Sequence, residues 1–167
     1  MIIVIMGPCG CGKSTIAQAL AYRLGWLYLD ADDYHPQSNI EKMSQGIPLD
    51  DSDRKPWLEK LHEEVLNNES LILACSALKR SYRQILSQGV DQSDNAKLLY
   101  FVLLRADEDL LRKRLEQRKG HYMPASLIAS QLKTLEPFDT TEWHLTVDAS
   151  KPCDHIVNEI VGSLSGK

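Results

Sequence analysis

The sequence predicts a three-layer α/β domain built on a five-stranded parallel sheet, and two features of the chain indicate this fold class. Apolar runs at residues 2–6, 26–29, 70–74 and 98–104 are continuous rather than alternating, which is typical of strands buried on both faces of a parallel sheet. Segments with helical spacing separate these runs, and such alternation favours right-handed crossovers with helices on both faces. A weaker fifth strand is predicted near residues 145–147.

The helices are placed by apolar spacing and by capping residues between the strands. They are predicted at residues 14–24, 53–66, 79–86, 107–118, 124–135 and 154–164. In a doubly wound sheet, ligands bind beyond the carboxyl ends of the strands. The residues that follow each strand are therefore the candidates for ligand binding and catalysis.

Composition limits the classes of protein that the chain can represent. Its 167 residues, 43% of them hydrophobic, suffice for one buried core but not for two ordinary domains, so we expect a single domain over residues 1–167. A net charge of -4 argues against a nucleic-acid partner. The sequence has no apolar stretch of membrane-spanning length and no signal-peptide pattern, and its four cysteines lack zinc spacing. We expect a cytoplasmic protein with free thiols and no membrane partner.

A phosphate-binding loop lies between the first strand and the first helix. Its glycines allow consecutive backbone amides to turn toward one concavity, and the helix that follows adds its positive N-terminal end. Lys13 is predicted to reach the β- and γ-phosphate oxygens, and the Ser14 hydroxyl is predicted to be a Mg²⁺ ligand. The predicted polyphosphate-binding residues are Gly7, Pro8, Cys9, Gly10, Cys11, Gly12, Lys13, Ser14 and Thr15.

Two carboxylates follow the second predicted strand. Asp30 and Asp32 share one side of the chain if it stays extended, so both could face the mouth of the phosphate loop. We interpret Asp32 as the group that orients, and helps to deprotonate, an acceptor hydroxyl, with Asp30 holding Mg²⁺ through water. The alternative is that Asp30 ends the strand and that Asp32 or Asp33 only caps the next helix.

The third predicted strand ends without the aspartate that often holds the metal's water shell in ATPases. Ser76 stands in that place, and the guanine-specific Asn-Lys-x-Asp pattern is also absent from the sequence, so phosphoryl transfer to a small molecule is favoured over a motor or regulatory GTPase. Lys79, Arg80 and Arg83 begin a helix, where cations oppose the helix dipole. At least one of them should therefore have an anionic partner, although a solvated charged face is the alternative.

Residues 34–58 form a predicted insertion that closes over the acceptor. Such a segment would exclude water from the transfer step. Arg54 is a candidate for a fork-like grip on a substrate carboxylate, unless it pairs with Asp50, Asp51 or Asp53 to stiffen the turn. Trp57 is predicted to lie in the core.

A basic helix follows the fourth strand and leads into a predicted lid at residues 118–126. Asp107 should cap this helix, with Leu111 and Leu115 on its buried face. The same spacing places Arg114 and Arg118 beside the body of the protein, where they could contact the nucleotide or the transferring phosphoryl group. The alternative is a basic helix end that complements the dipole.

Taken together, these segments resemble the small P-loop gluconokinases, which are relatives of shikimate kinase and the nucleoside monophosphate kinases. The phosphate loop is shared by many families, whereas the other matching blocks are more selective. These blocks are Asp-Asp-Tyr-His-Pro at 32–36, Cys-Ser-Ala-Leu-Lys at 75–79, Gly-His-Tyr-Met at 120–123, Asn39, Lys42-Met43-Ser44, Tyr82-Arg83, Ser130-Gln131 and Leu135-Glu136-Pro137.

The resemblance implies a P-loop kinase fold with a short lid, ATP and Mg²⁺ as cofactors, a homodimer, and phosphorylation of D-gluconate at its 6-hydroxyl. Gluconate, a sugar acid, has a carboxylate that suits Arg54 or Arg83, and hydroxyls that suit Asp32, His35 and Lys79. His121 would contribute to substrate binding from the lid. Lys13 and Arg118 would stabilise charge on the γ-phosphoryl group. A kinase for another small hydroxy acid, shikimate-like, or for a nucleoside monophosphate is the alternative enzyme, and a nucleotide-binding module without turnover is the alternative outside enzymes.

The loop thiols also suggest a hypothesis. Cys9 and Cys11 lie beside a helix N-terminus, an environment that favours the thiolate. Oxidation of either thiol is predicted to block ATP binding.

Overall fold

The computed structural model describes residues 1–90, 98–117 and 125–164. Its centre is a five-stranded parallel sheet in the order β2-β3-β1-β4-β5, which confirms the predicted fold class. The strands are β1 (Ile2–Met6), β2 (Leu27–Asp30), β3 (Leu71–Ala74), β4 (Leu99–Arg105) and β5 (His144–Asp148). The strand order reverses beside β1, so the loop after β1 lies at the crevice where such sheets bind ligands.

Helices connect these strands and cover both faces of the sheet. They are α1 (Lys13–Leu24), α2 (Gln37–Ser44), α3 (Asp51–Asn67), α4 (Arg80–Ser87), α5 (Glu108–Gln117), α6 (Ala125–Thr134) and α7 (Cys153–Leu164). Sequence analysis missed α2, and the reason is physical. Its Ile40 and Met43 are about half exposed, so no buried apolar face imposed a helical period on the sequence.

The core consists of two apolar layers, one on each face of the sheet. Alternate residues of β1 supply both layers, because Ile3 and Ile5 pack on the side of α1 and α7 while Val4 and Met6 pack on the side of α3. Each fully buried aliphatic side chain contributes roughly 1.5–3 kcal/mol. Burial on both faces is confirmed for β1 and β3 but wrong for β2, an edge strand whose Leu27 is 50% exposed.

The two central strands bring their following loops together. The Gly7 amide donates to the Ser76 carbonyl at 3.3 Å, and the Cys75 amide donates to the Ile5 carbonyl at 3.1 Å. The loop after β3 is thereby bonded to the start of the phosphate loop. None of the helices in the described ranges is long and apolar enough to cross a membrane.

Candidate active site

The phosphate loop has the backbone conformation that its glycines predict. Gly7 has φ +146°, and a Cβ there would lie 2.8 Å from Cys11 Sγ and 3.0 Å from the Leu104 carbonyl. Gly12 has φ +100° and caps α1, where a Cβ would lie 3.3 Å from Arg114 Nη1. A side chain at either position would strain the loop, so glycine is required for its path.

The start of α1 is open to an anion. Within the described ranges, no side chain caps this end, and its first turn carries no acidic residue. Lys13 Nζ donates to the carbonyls of Gly7 at 2.9 Å and Pro8 at 3.1 Å, so the ammonium bridges the loop. The backbone amides at the start of α1, the positive helix end and one ammonium group can together bind a polyphosphate.

A cavity of about 340 Å³ lies beside the loop and is lined by both apolar and basic side chains. Arg114 spans it, since Nη1 donates to the Cys11 carbonyl at 2.7 Å and Nη2 donates to the Ala149 carbonyl at 2.6 Å. Ile16 and Ile156 supply apolar walls. The position of Arg114 against the loop fits its predicted contact with a nucleotide. The segment after β5, which forms the far wall, was not predicted from the sequence.

The predicted metal-ligating residues lie together. Ser14 Oγ donates to Asp30 Oδ2 at 3.1 Å, and the Tyr28 hydroxyl donates to the same oxygen at 3.2 Å. A hydroxyl that donates to a carboxylate keeps its lone pairs for a cation, and Mg²⁺ prefers such oxygen ligands with several waters. This oxygen donor set therefore fits the Mg²⁺ site predicted at Ser14 and Asp30.

Asp32 lies next to Asp30, but not for the predicted reason. The chain does not stay extended after β2; it enters a short 3₁₀ turn at Ala31–Tyr34, and the Asp30 side chain caps that turn by accepting from the Asp32 amide at 2.9 Å. Of the alternative reading, the part in which Asp30 ends the strand is confirmed, whereas capping by Asp32 or Asp33 is wrong, because Asp30 itself caps the turn and α2 begins after Pro36 without a side-chain cap. The Asp32 side chain is exposed at the surface, but partial desolvation by the surrounding protein and the charge of Asp30 raise the pKa of its carboxyl above the usual range.

His35 follows the 3₁₀ turn that contains Asp32, and its ring is held by contacts with Trp57 and Asn39. Its ring stacks on Trp57 with 4.3 Å between centroids and 13° between planes, and Trp57 Nε1 donates to the Ala31 carbonyl at 2.6 Å. Asn39, only 1% exposed, contacts His35 Nδ1 at 3.2 Å. Burial lowers the pKa of His35, so the ring is neutral at neutral pH. Trp57 is buried, as predicted.

Arg54 and Lys79 converge on one tyrosine. Arg54 lies over the Tyr82 ring at 5.6 Å and Lys79 at 5.5 Å, and Arg54 Nη1 also donates to the Tyr82 hydroxyl at 3.2 Å. The hydroxyl donates in turn to Asp51 Oδ1 at 2.6 Å, and Lys79 Nζ donates to the same oxygen at 3.0 Å. Asp51 is thus paired with Lys79, and Arg54 donates to the Tyr82 hydroxyl and to the Leu49 carbonyl at 2.9 Å.

Arg83 does not fit its predicted contact with substrate. It is 1% exposed, and acceptors of the protein face all of its N–H groups. Nε donates to Glu142 Oε2 at 2.6 Å, and the Nη atoms reach Glu142 and the backbone carbonyls of Ala77, Leu78, Glu136 and Pro137. Ala77 has φ +47°, which is strained for a non-glycine residue. Arg83 therefore braces the turn after β3 against the segment before β5.

The expectation that a cation at the start of α4 has an anionic partner is confirmed. Lys79 pairs with Asp51, Arg80 with Asp139 at 3.8 Å, and Arg83 with Glu142. In α5, Asp107 accepts from the Leu110 amide at 2.8 Å, which confirms the predicted cap.

The thiolate hypothesis is wrong for Cys11. Its side chain is buried, and desolvation raises the pKa of the thiol above its ordinary value despite the nearby Lys13. All four cysteines are free, as expected. Arg118, His121 and residues 118–124 of the predicted lid lie outside the described residues.

Three site residues were missed, namely Asn39, Asp51 and Tyr82. The signal available for Asn39 and Tyr82 was their place in the blocks that resemble the gluconokinases, where neither had been assigned a role. Asp51 was predicted only as a partner of Arg54 in the turn. Tyr82 precedes Arg83, and only Arg83 was predicted to contact the substrate.

Comparisons with known proteins agree with this geometry. A family model described as an AAA domain matches residues 3–150. The chain is 46% identical to a probable gluconokinase of Xenopus tropicalis over 100% of this chain and 95% of that protein. It is 44% identical to a gluconokinase of Gluconobacter oxydans, covering 95% and 88% of the two chains.

A solved structure extends the likeness to three dimensions. The crystal structure of a gluconokinase from Sinorhizobium meliloti superposes with a TM-score of 0.85 at 41% identity, over 98% of this chain and 90% of that one. The likeness therefore spans both the phosphate loop and the acceptor side. The chain belongs to the gluconokinase family of P-loop kinases.

Proposed function

We propose that the protein catalyses ATP-dependent phosphorylation of D-gluconate at the 6-hydroxyl, giving 6-phospho-D-gluconate. The observation that carries this proposal is the pairing of two sites at one edge of the sheet. One is a phosphate loop with an open helix end, and the other is a cation pair, Arg54 and Lys79, around Tyr82. Asp32 and His35 belong to the strand end between them. Full-length similarity to gluconokinases supports the same substrate.

On the nucleotide side, backbone amides of the loop bind the phosphates, and Arg114 contacts the nucleotide from the wall of the cavity. Lys13 would exchange its carbonyl partners for phosphate oxygens and stabilise the charge that develops on the γ-phosphoryl group. Arg118 would add a second positive charge there. Ser14 would ligate Mg²⁺, with Asp30 acting through water. When bound, Mg²⁺ neutralises charge on the phosphates.

On the acceptor side, Arg54 and Lys79 bind the carboxylate of gluconate, and His35 and His121 bind its hydroxyls. Asp32 accepts a hydrogen bond from the 6-hydroxyl and aligns its oxygen in line with the γ-phosphorus. A carboxylate suffices, because phosphoryl transfer through a loose transition state needs little proton abstraction. The proton of the hydroxyl passes to Asp32 as the new O–P bond forms, while the bond between the γ-phosphorus and the bridging oxygen breaks and ADP leaves.

The surrounding assignments are proposals of the same kind. The chain would fold as one domain over residues 1–167, with the acceptor insertion at about 34–58 and the lid at about 118–126. It would act in the cytoplasm, where ATP is available and free thiols persist. It would form a homodimer, which sedimentation of the purified protein tests.

The test of the function is an ADP-release assay with the purified protein, ATP and Mg²⁺ over a panel of acceptors. The panel includes D-gluconate, related sugar acids, shikimate and AMP. We expect turnover with D-gluconate and a product phosphorylated at position 6 by NMR. Turnover with shikimate or AMP instead would favour another kinase, and ATP binding without turnover would favour a binding module. A Lys13→Met variant is the control for contaminating kinases.

A further inference from the structure

Asn39 is one of two buried polar or charged residues in the described chain, and it joins α2 to both His35 and α3. The same nitrogen, Nδ2, lies 2.9 Å from the Asp53 carbonyl and 3.2 Å from His35 Nδ1. Asp53 is itself fixed, because its carboxylate forms a capping box with Asp50 and pairs with Lys42 at 2.8 Å. The position of the amide is therefore determined by the start of α3.

These two contacts determine where the imidazole carries its proton. A backbone carbonyl can only accept, so the Asn39 atom that faces Asp53 must be the NH₂ nitrogen. That nitrogen has two hydrogens to donate and cannot accept, so His35 Nδ1 must accept its second hydrogen. A neutral imidazole that accepts at Nδ1 carries its proton at Nε2.

We propose that Asn39 is a positioning residue that holds His35 as the neutral Nε2–H tautomer, so that the ring donates a hydrogen bond to a hydroxyl of the acceptor. The role toward the acceptor rests on the proposed function. Asp32 accepts and His35 donates, so the two side chains meet a polyol with complementary groups.

The surroundings of His35 keep the ring neutral and oriented. Arg54, from α3, and burial both lower its pKa, and they oppose Asp32, from the 3₁₀ turn, which raises it. Stacking on Trp57 fixes the plane of the ring, and the Asn39 hydrogen bond fixes its rotation within that plane.

Nitrogen-15 NMR of the wild-type protein tests the tautomer directly. At about pH 8, above the range in which free histidine is charged, we expect the His35 Nδ1 signal of an unprotonated nitrogen and the Nε2 signal of a protonated one. The His35→Gln spectrum assigns the signals. A proton on Nδ1, or an averaged signal from both tautomers, overturns the proposal. This measurement needs no variant with an altered Asn39, so it stands even if such variants fail to fold.

Asn39→Asp tests the role in the reaction. A carboxylate at this position cannot donate to Nδ1 but accepts from it, so the neutral ring carries its proton on Nδ1 and Nε2 has no hydrogen to donate to the acceptor. We expect the KM for gluconate to rise roughly tenfold, as for one lost hydrogen bond, with the KM for ATP unchanged. A new dependence of the gluconate KM on pH should appear near neutrality.

Ser38→Asp is the matched control, because it places the same charge on the exposed side of α2, one residue away. We expect it to behave as wild type. An equal rise in KM for both variants, or none for Asn39→Asp, overturns the proposal. A wild-type protein with the expected NMR pattern but no gluconate turnover would instead overturn the proposed function and leave the tautomer assignment intact.

Discussion

The nucleotide side and the acceptor side of this site are built in different ways. The nucleotide side uses backbone amides of one continuous loop, shaped by glycines and followed directly by α1. The acceptor side uses side chains from the 3₁₀ turn, α2, α3 and the start of α4, and most of them bond to one another. A site formed by local backbone can be recognised from a short sequence motif, whereas a site formed by distant side chains depends on how the whole chain packs.

The largest expected effect separates a structural cation from the binding cations on the acceptor side. Arg83→Met leaves Glu142 buried without its partner, so we expect a loss of about 3–5 kcal/mol in the free energy of unfolding. Urea unfolding measures it. The KM for gluconate of the folded protein should stay within about twofold of wild type, which corresponds to under 1 kcal/mol. A stable variant with a strongly raised KM for gluconate would show that Arg83 contributes to substrate binding.

The second largest effect is expected for Lys13→Met, which removes the ammonium group of the phosphate loop. Removing the one ammonium that reaches the phosphates should lower kcat by roughly 10²- to 10³-fold, the loss found for a single group that stabilises transition-state charge. The fold should persist, because Lys13 bonds only two loop carbonyls. Steady-state kinetics with gluconate and ATP check this prediction. A loss of less than tenfold would contradict the proposed role of Lys13.

Asp32→Asn tests whether the acceptor side contributes to chemistry as well as to binding. We expect kcat to fall about 10²-fold, at the lower end for loss of a positioned acid–base group. Stability should be unchanged or higher, because the substitution removes repulsion from Asp30. Thermal melts and single-turnover kinetics measure the two effects. If kcat is unchanged, Asp32 has no role in catalysis.

The smallest expected effect concerns substrate binding on the acceptor side. Arg54→Met should raise the KM for gluconate roughly tenfold, as expected for a lost hydrogen bond to a charged group, and leave the KM for ATP unchanged. Arg112→Met is the matched control, since that arginine lies on the exposed face of α5 and its ion pairs among the described residues are with Glu108 and Asp109. Equal values for both variants would argue against carboxylate binding by Arg54.

The sheet, the phosphate loop and the core could be predicted from the sequence, because each depends on a local or repetitive pattern of residues. Continuous apolar runs mark β1 and β3, and the glycine spacing up to Lys13 specifies a conformation that few other residues can adopt.

Which polar residues lie together in one site could not be predicted from the sequence and followed only from the tertiary structure. Arg54, Lys79 and Arg83 are equivalent as cations in the sequence, yet only Arg83 is buried with every N–H group bonded to the protein. Asn39 is an ordinary residue in the sequence until packing places its amide between His35 and Asp53. The physical reason is that a hydrogen bond requires its donor and acceptor within about 3 Å, and residues 14 to 59 positions apart reach that distance only after the chain has folded.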